Sequence, residues 1–216
     1  MTKKEIIEKV KKYVKEKMEG ETTGHDWWHV FRVWKLSKKI AKKEGGDLFA
    51  IELAALLHDI ADWKFNEKSE SEGIKKIKRL LENLKVGKDA ILKVCDIIKN
   101  ISFKGAGVKS KIKIIEGKIV QDADRLDALG AIGIVRTCAY HGHKGTEIYN
   151  PNIKPKRHKS FEEYKKTGPT INHFYEKLLL LKDLMNTKTA KKIAEKRHIF
   201  IEQFLDRFFE EWEGKD

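Results

Sequence analysis

Apolar residues recur along most of this chain with the three-and-four spacing of a single helical face, and no stretch keeps the two-residue rhythm of a half-buried strand. The spacing predicts helices at roughly 2–18, 27–44, 48–61, 69–84, 88–101, 112–138, 173–185 and 188–212. In the first, Ile6, Val10, Tyr13, Val14 and Lys17 fall at helical intervals. Gly45 and Gly46 end the second helix, and Asp47 is placed to cap the third. That third helix, within "FAIELAALLHDIADW", is apolar nearly all round, which marks it as deeply buried. The last begins at a capping signal, Asn186 or Thr187, and carries Ile193, Phe200, Phe204 and Phe208 on one face.

Periodicity fails over 139–172, where all three prolines, Pro151, Pro155 and Pro169, are found. The stretch is also basic, with Lys144, Lys154, Lys156, Arg157, Lys159, Lys165 and Lys166. A loop of this length inside a compact domain is usually functional or disordered. With no internal repeat and no linker composition, the pattern predicts one all-α domain over 1–216. It has a core of about 22–138, a basic loop at 139–172 and C-terminal helices at 173–212.

Composition narrows the setting. The chain has 216 residues, 40% of them hydrophobic and 37% charged, enough for one sizeable core under a charged surface. No apolar run approaches the length of a membrane span, and the basic N-terminus lacks a signal peptide's apolar centre, so a cytoplasmic protein is expected. Cys95 and Cys138 form no Cys-x-x-Cys pair and read as buried free thiols. The net charge of +13 favours anionic partners, a small phosphorylated molecule or a nucleic acid. A Lys/Glu-rich solvated surface of the heat-adapted kind explains the charge equally well. Basic residues are spread along the whole length, which argues against nucleic acid.

Candidate chemistry lies in repeated His-Asp pairs. In "GHDWWHV", Asp26 is placed to cap a helix starting at Trp27, which puts His29 in the first turn. Positions 33, 36 and 40 are Val, Leu and Ile, so His29 heads an apolar stripe, whereas His25 has none behind it. In "LLHDIADWK", His58 and Asp59 end the most apolar helix. A buried carboxylate there must be paired or bound to a metal. Within "KIVQDADRLDALGAIGIV", Asp124 shares a face with Val120, Ala128, Ala131 and Val135, and Asp122 shares one with Arg125 and Leu129. Asp124 is therefore read as the buried carboxylate that needs a cation, and Asp122 as a supporting or salt-bridged residue. His29, His58, Asp59 and Asp124 give two imidazoles and two carboxylates from three helices. Mixed nitrogen and oxygen ligation with positions left for water suits an open divalent site better than a closed structural zinc.

These motifs, with "GHDWWHVFRVW", "LLHDIADWKF", "DADRLDALGAIGI", "HFYEKLLLLKDLMNT" and "AEKRHIFIEQFL", resemble the HD-domain metal-dependent phosphohydrolases, the stand-alone HD hydrolases of bacteria and archaea, over roughly 22–212. The resemblance implies an all-α fold and a divalent metal on the four residues named, with Mn the first choice and Mg, Co, Ni, Fe or Zn as alternatives. It also implies activity on phosphomonoesters, phosphodiesters or nucleotide pyrophosphates, without fixing a substrate. The expectation is a small nucleotide hydrolysed by a nucleoside triphosphate pyrophosphohydrolase or a nucleotidase, with a cyclic-nucleotide phosphodiesterase as an alternative. Composition makes a membrane or nucleic-acid partner unexpected. Asp62, three residues after Asp59, matches an acidic position that assists proton transfer in similar proteins and is expected as the general acid/base. Arg32, Lys64 and Arg125 lie beside the ligand positions and are candidates to bind phosphate. The resemblance favours the "YHGHKG" segment as pocket lining without choosing between its histidines, His141 and His143, of which His141 is taken as the substrate-binding candidate. The competing reading is a nucleic-acid- or nucleotide-binding module whose metal is only structural.

Overall fold

The structure, a computed structural model, describes residues 1–20, 24, 26–61, 70–102, 110–156 and 168–215. Among the described residues every regular element is helical. They run α1 Lys3–Lys17, α2 Trp27–Glu44, α3 Leu48–Leu57, α4 Glu70–Asn83, α5 Lys88–Ile101, α6 Ile115–Asp127, α7 Gly130–His143, α8 Thr170–Glu176 and α9 Lys188–Trp212. Short 3-10 turns cover His58–Ala61, Leu178–Leu180 and Lys182–Leu184. The all-α expectation is met.

Two compact units are distinguished. The first comprises Met1–Phe103 and Ser110–Asp124, and the second Lys104–Lys109 and Arg125–Asp216. In the first, α3 is the central helix. It buries Ala50, Ile51, Leu53, Ala54, Ala55, Leu56 and Leu57 and packs against α1, α2 and α5. A helix apolar on every side is stable only when neighbours cover all of it. Amphipathic α1, α2 and α5 supply that cover through Val10 and Val14, Val30, Val33 and Ile40, and Ile91, Val94 and Ile98.

Helix α6 is fixed at two points within this unit. Glu116 Oε1 accepts from the Asp47 backbone N–H at 3.0 Å and faces Lys93 Nζ at 3.3 Å, tying the start of α6 to the cap of α3. Gln121 Nε2 donates to the Ile101 carbonyl at 3.2 Å and so satisfies the end of α5. Asp124 follows Gln121 by three residues, one turn along a helix whose position is already set.

The single helix expected over 112–138 is two, α6 and α7. Gly130 opens α7 at φ +71°, a left-handed conformation that L side chains rarely adopt. At Gly133 a Cβ would stand 2.3 Å from the Ala128 carbonyl oxygen, so only glycine lets the chain turn back this tightly. The small residues of "ALGAIG" mark a reversal, and periodicity alone could not separate that from a continuous helix.

In the second unit α9 packs on α7 and on the Lys182–Leu184 turn. The face of α9 that reaches the interior is Ala190, Ala194, Ile201 and Leu205, while Phe200 is exposed. Of the expected stripe only Phe200 is exposed; Ile193, Phe204 and Phe208 are half-buried along the margin of this face, and Phe204 stacks on the buried Phe174 with ring centroids 5.5 Å apart. Two further expectations shift. Residues 139–143, assigned to the basic loop, continue α7, and 170–172 already belong to α8. The helix expected at 173–185 is one turn of α8 followed by the two 3-10 turns. Residues 144–156 are tied to α8. Thr170 and Ile171 backbone N–H groups donate to the Glu147 and Ile148 carbonyls at 2.8 and 3.0 Å, and Asn172 Nδ2 donates to the Ile153 carbonyl at 2.8 Å. Cys138 is exposed and Cys95 half-buried, so neither is the buried thiol expected.

Candidate metal centre

Three segments of the first unit bring their polar ends to one point. Asp26 caps α2 as expected, its carboxylate accepting from the His29 backbone N–H at 2.8 Å. The cap starts the helix one turn ahead of Val33, and His29 sits fully buried at its base. At the end of α3 the chain tightens into the 3-10 turn at His58, and the imidazole folds back so that Nδ1 lies 2.8 Å from the Ala55 carbonyl. That carbonyl, left open at a helix C-terminus, can only accept. Nδ1 therefore carries the proton and donates, and the Nε2 of a neutral His58 is a lone pair.

The lone pair points at other atoms able to ligate a metal. His58 Nε2 is 3.2 Å from His29 Nε2, 3.3 Å from Asp59 Oδ1 and 3.9 Å from Asp124 Oδ1. His29 Nε2 is 3.4 Å from both Asp59 Oδ2 and Asp124 Oδ1. Two carboxylates and an imidazole lone pair crowded in a largely buried site repel one another unless positive charge sits among them. Without an ion, only protonation of the imidazoles supplies part of that charge, and for His58 that removes the lone pair. Burial acts to raise the Asp124 pKa, but the hydrogen bond from His29 and the charges of His58 and His29 outweigh it and hold the carboxyl well below its usual range. Asp124 is thus an anion at neutral pH.

The donor set fits a divalent ion. Ligand atoms about 2.0–2.2 Å from a shared ion stand roughly 3 Å apart at right angles and roughly 3.5 Å apart in a tetrahedron. Most of the spacings, 3.2 to 3.4 Å, fall in that interval, and the His58–Asp124 pair at 3.9 Å lies just outside it. Among the described residues His29, His58 and Asp59 form the one group whose donor atoms all lie within 4.8 Å of one another. Asp124 closes the fourth side. Its side chain retains 30% exposure against 9% or less for the other three, so the centre opens to solvent along Asp124.

The apolar face expected for Asp124 is split between two helices. Ala131 and Val135 belong to α7, not to Asp124's helix, and both are exposed. Asp122, not Asp124, is the fully buried carboxylate. What brings Asp124 to His29 is the anchoring of α6 by Glu116 and Gln121. Sequence reasoning passed over both residues, as it did the Ala55 carbonyl.

Arg32, one turn beyond His29 on α2, is half-buried. Arg125 and His141 lie in the second unit, where each has a local partner. Arg125 Nη1 donates to the Leu184 carbonyl, and His141 Nδ1 is 2.9 Å from Thr146 Oγ1. Arg136 pairs with Asp127 at 3.2 Å. The expectations for His25, Asp62 and Lys64 lie outside the described residues.

Comparison with known proteins identifies the family. Residues 27–129 match the HD domain family, a span that takes in all four donors. The YpgQ protein of Bacillus subtilis is 39% identical over 97% of this chain and 95% of its own length. A crystal structure of YpgQ in complex with ADP superposes with a TM-score of 0.77, at 35% identity over 97% of this chain and all of that one. An HD-superfamily hydrolase from Bacillus thuringiensis shares 49% identity with a TM-score of 0.77, over 98% of this chain and 99% of its own. From the donors' convergence and from this breadth of similarity, the chain belongs to the HD-domain phosphohydrolase superfamily.

Proposed function

We propose that the protein is a divalent-metal-dependent phosphohydrolase acting on a small phosphorylated substrate, a nucleotide, as a nucleoside triphosphate pyrophosphohydrolase or a nucleotidase. The observation that carries this reading is the His58 lone pair, aimed by the Ala55 carbonyl at His29 and two carboxylates, side chains that can all ligate a metal. A purely structural His–Asp pair would set one donor against one acceptor, whereas here a single His29 Nε2–H faces the His58 lone pair and the Asp59 and Asp124 carboxylates, more acceptors than one donor serves. The ADP complex of a relative supports a nucleotide as the ligand class. Among the described residues no helix is long and apolar enough to cross a membrane, in keeping with a diffusible substrate.

His29, His58, Asp59 and Asp124 would hold the ion, Mn first among the candidates. When bound it supplies Lewis acidity, acidifying water and polarising a phosphoryl oxygen. The chain's own contribution is orientation and proton transfer. Ala55 fixes the His58 tautomer, and Asp26 fixes where α2 begins and hence where His29 stands. Asp62 is assigned to moving the proton between attacking water and leaving group, on its three-residue spacing from Asp59. Arg32 is assigned to the phosphate, which a guanidinium binds with two parallel N–H donors.

The test is a panel of nucleoside mono-, di- and triphosphates with Mn, Mg, Co, Ni, Fe or Zn, reading phosphate and pyrophosphate release. Metal-dependent turnover of at least one class is expected. Tight nucleotide binding without turnover under any metal would instead favour a binding module with a structural ion.

A further inference from the structure

Helix α2 carries one large side chain that its own fold does not use. Trp28 stands next to His29 in the first turn and is 58% exposed. A lone exposed aromatic needs no explanation, but Trp28 is not simply loose on the surface. Its ring meets Phe31 edge-on, with centroids 5.8 Å apart at 88°. Phe31 in turn packs against Trp27 and Trp34, each at 5.8 Å. The indole is thus braced by a row of rings rooted in the helix and still open to solvent.

Position on the helix gives this ring a direction. Successive residues turn by about 100°, so Trp28 lies about 100° around the axis from His29. Arg32 falls between them, about 60° from His29 and about 40° from Trp28, and its side chain leans back over the first turn. Around a helix about 10–12 Å across, the arc from His29 to Trp28 measures roughly 10 Å. Moving along that arc one meets in order the four-donor centre, a guanidinium and an aromatic platform. Lys35, two turns beyond Trp28 and packed with its ammonium 5.0 Å from the Phe31 ring centroid, adds a second cation at the far edge.

A nucleotide has the same order of chemistry: a reacting phosphate, further anionic phosphate, then a flat base after the ribose. We propose that Trp28 is the nucleobase platform of this protein, stacking the base of a nucleotide whose phosphates lie toward Arg32 and the metal centre. The proposal rests on the phosphohydrolase reading and adds to it the residue that would distinguish a nucleotide from inorganic polyphosphate. Stacking tolerates every base because each has a π face, so the platform selects for a base without selecting strongly among bases.

Titration calorimetry of the Mn-loaded full chain with ADP and, separately, with inorganic tripolyphosphate tests it. Trp28→Ala is expected to weaken ADP by about 5- to 150-fold, the range that loss of one base–aromatic stack carries. Tripolyphosphate affinity should change by less than about 2-fold, since no base is present to stack. Trp28→Phe should restore most of the ADP affinity, which a merely structural role for the indole would not require. An unchanged ADP affinity in Trp28→Ala overturns the proposal, as does an equal loss for both ligands. A change in oligomeric state on light scattering would also overturn it, because the indole would then be covering a second copy. If the wild-type chain binds neither ligand in the presence of metal, the phosphohydrolase reading fails and the platform falls with it. Failure of the platform alone is recognised by wild-type binding of both ligands that Trp28→Ala leaves intact.

Discussion

Two buried histidines, His58 in the first unit and His141 in the second, have nearly the same local chemistry and different surroundings. Each is held through Nδ1. His58 donates to the Ala55 carbonyl at 2.8 Å, and His141 meets Thr146 Oγ1 at 2.9 Å. The Thr146 hydroxyl spends its own proton on the His141 carbonyl at 3.3 Å, so it accepts from Nδ1, and Nε2 of neutral His141 is again a lone pair. From there they diverge. The His58 lone pair faces His29 and two carboxylates, while that of His141 is buried without a hydrogen-bond partner, beside the ring of His173 with centroids 5.1 Å apart. A buried imidazole is common to both, and converging carboxylates belong to one. The carboxylates are what make a cation necessary.

The comparison has consequences of different size. The largest concerns Asp62, four residues after the first histidine in the sequence. Asp62→Asn keeps the side chain's approximate volume and removes the carboxylate assigned to proton transfer, so kcat should fall by about 10²–10⁴-fold. Bound metal, read by elemental analysis, should stay at the wild-type level. Loss of metal in this variant would move Asp62 into the ligand set and change the four-donor count.

The smaller consequence concerns the second histidine and is one of stability. Burial lowers the His141 pKa. The nearby Glu176 carboxylate opposes that effect and Lys177 adds to it, while the adjoining His173 and Tyr140 rings bring no anion. The folded protein therefore takes up a proton here less readily than the unfolded chain. The stability this residue contributes is fully present above the unfolded value of about 6.5 and is lost as pH falls through the lower folded value. His141→Asn keeps a donor for Thr146 and cannot titrate. Its melting temperature should fall less than that of wild type between pH 7.5 and pH 5, and its metal content should not change. An identical pH slope in the two proteins would show that His141 is not the group being titrated.

Much of this was legible in the chain before its structure. The helices, the Asp26 and Asp47 caps, and the arrival of His29, His58 and Asp59 at one place follow from periodicity and from the cost of burying a carboxylate. The reversal at Gly130 and Gly133 was not legible, because small residues favour close helix packing and tight turns alike. Asp124 was chosen by a face that the chain does not keep intact. Its position depends on Glu116 reaching the cap of α3 and Gln121 reaching the end of α5, contacts across 69 and 20 residues that no local pattern encodes. Orientation was likewise hidden. The Ala55 carbonyl decides which nitrogen of His58 is free, and a backbone oxygen has no letter in the sequence.

The central claim is that four side chains, and not the buried histidines in general, bind one divalent ion. Titration of metal-stripped protein with Mn, followed by electron paramagnetic resonance of the free ion, tests it most directly. The account predicts one tight site in wild type, retained in His141→Ala and in Asp122→Asn and lost in His58→Ala and in Asp124→Asn. Tight Mn binding that survives Asp124→Asn but is lost in Asp122→Asn would contradict it, and would make the fully buried carboxylate the ligand in place of the one that faces His29.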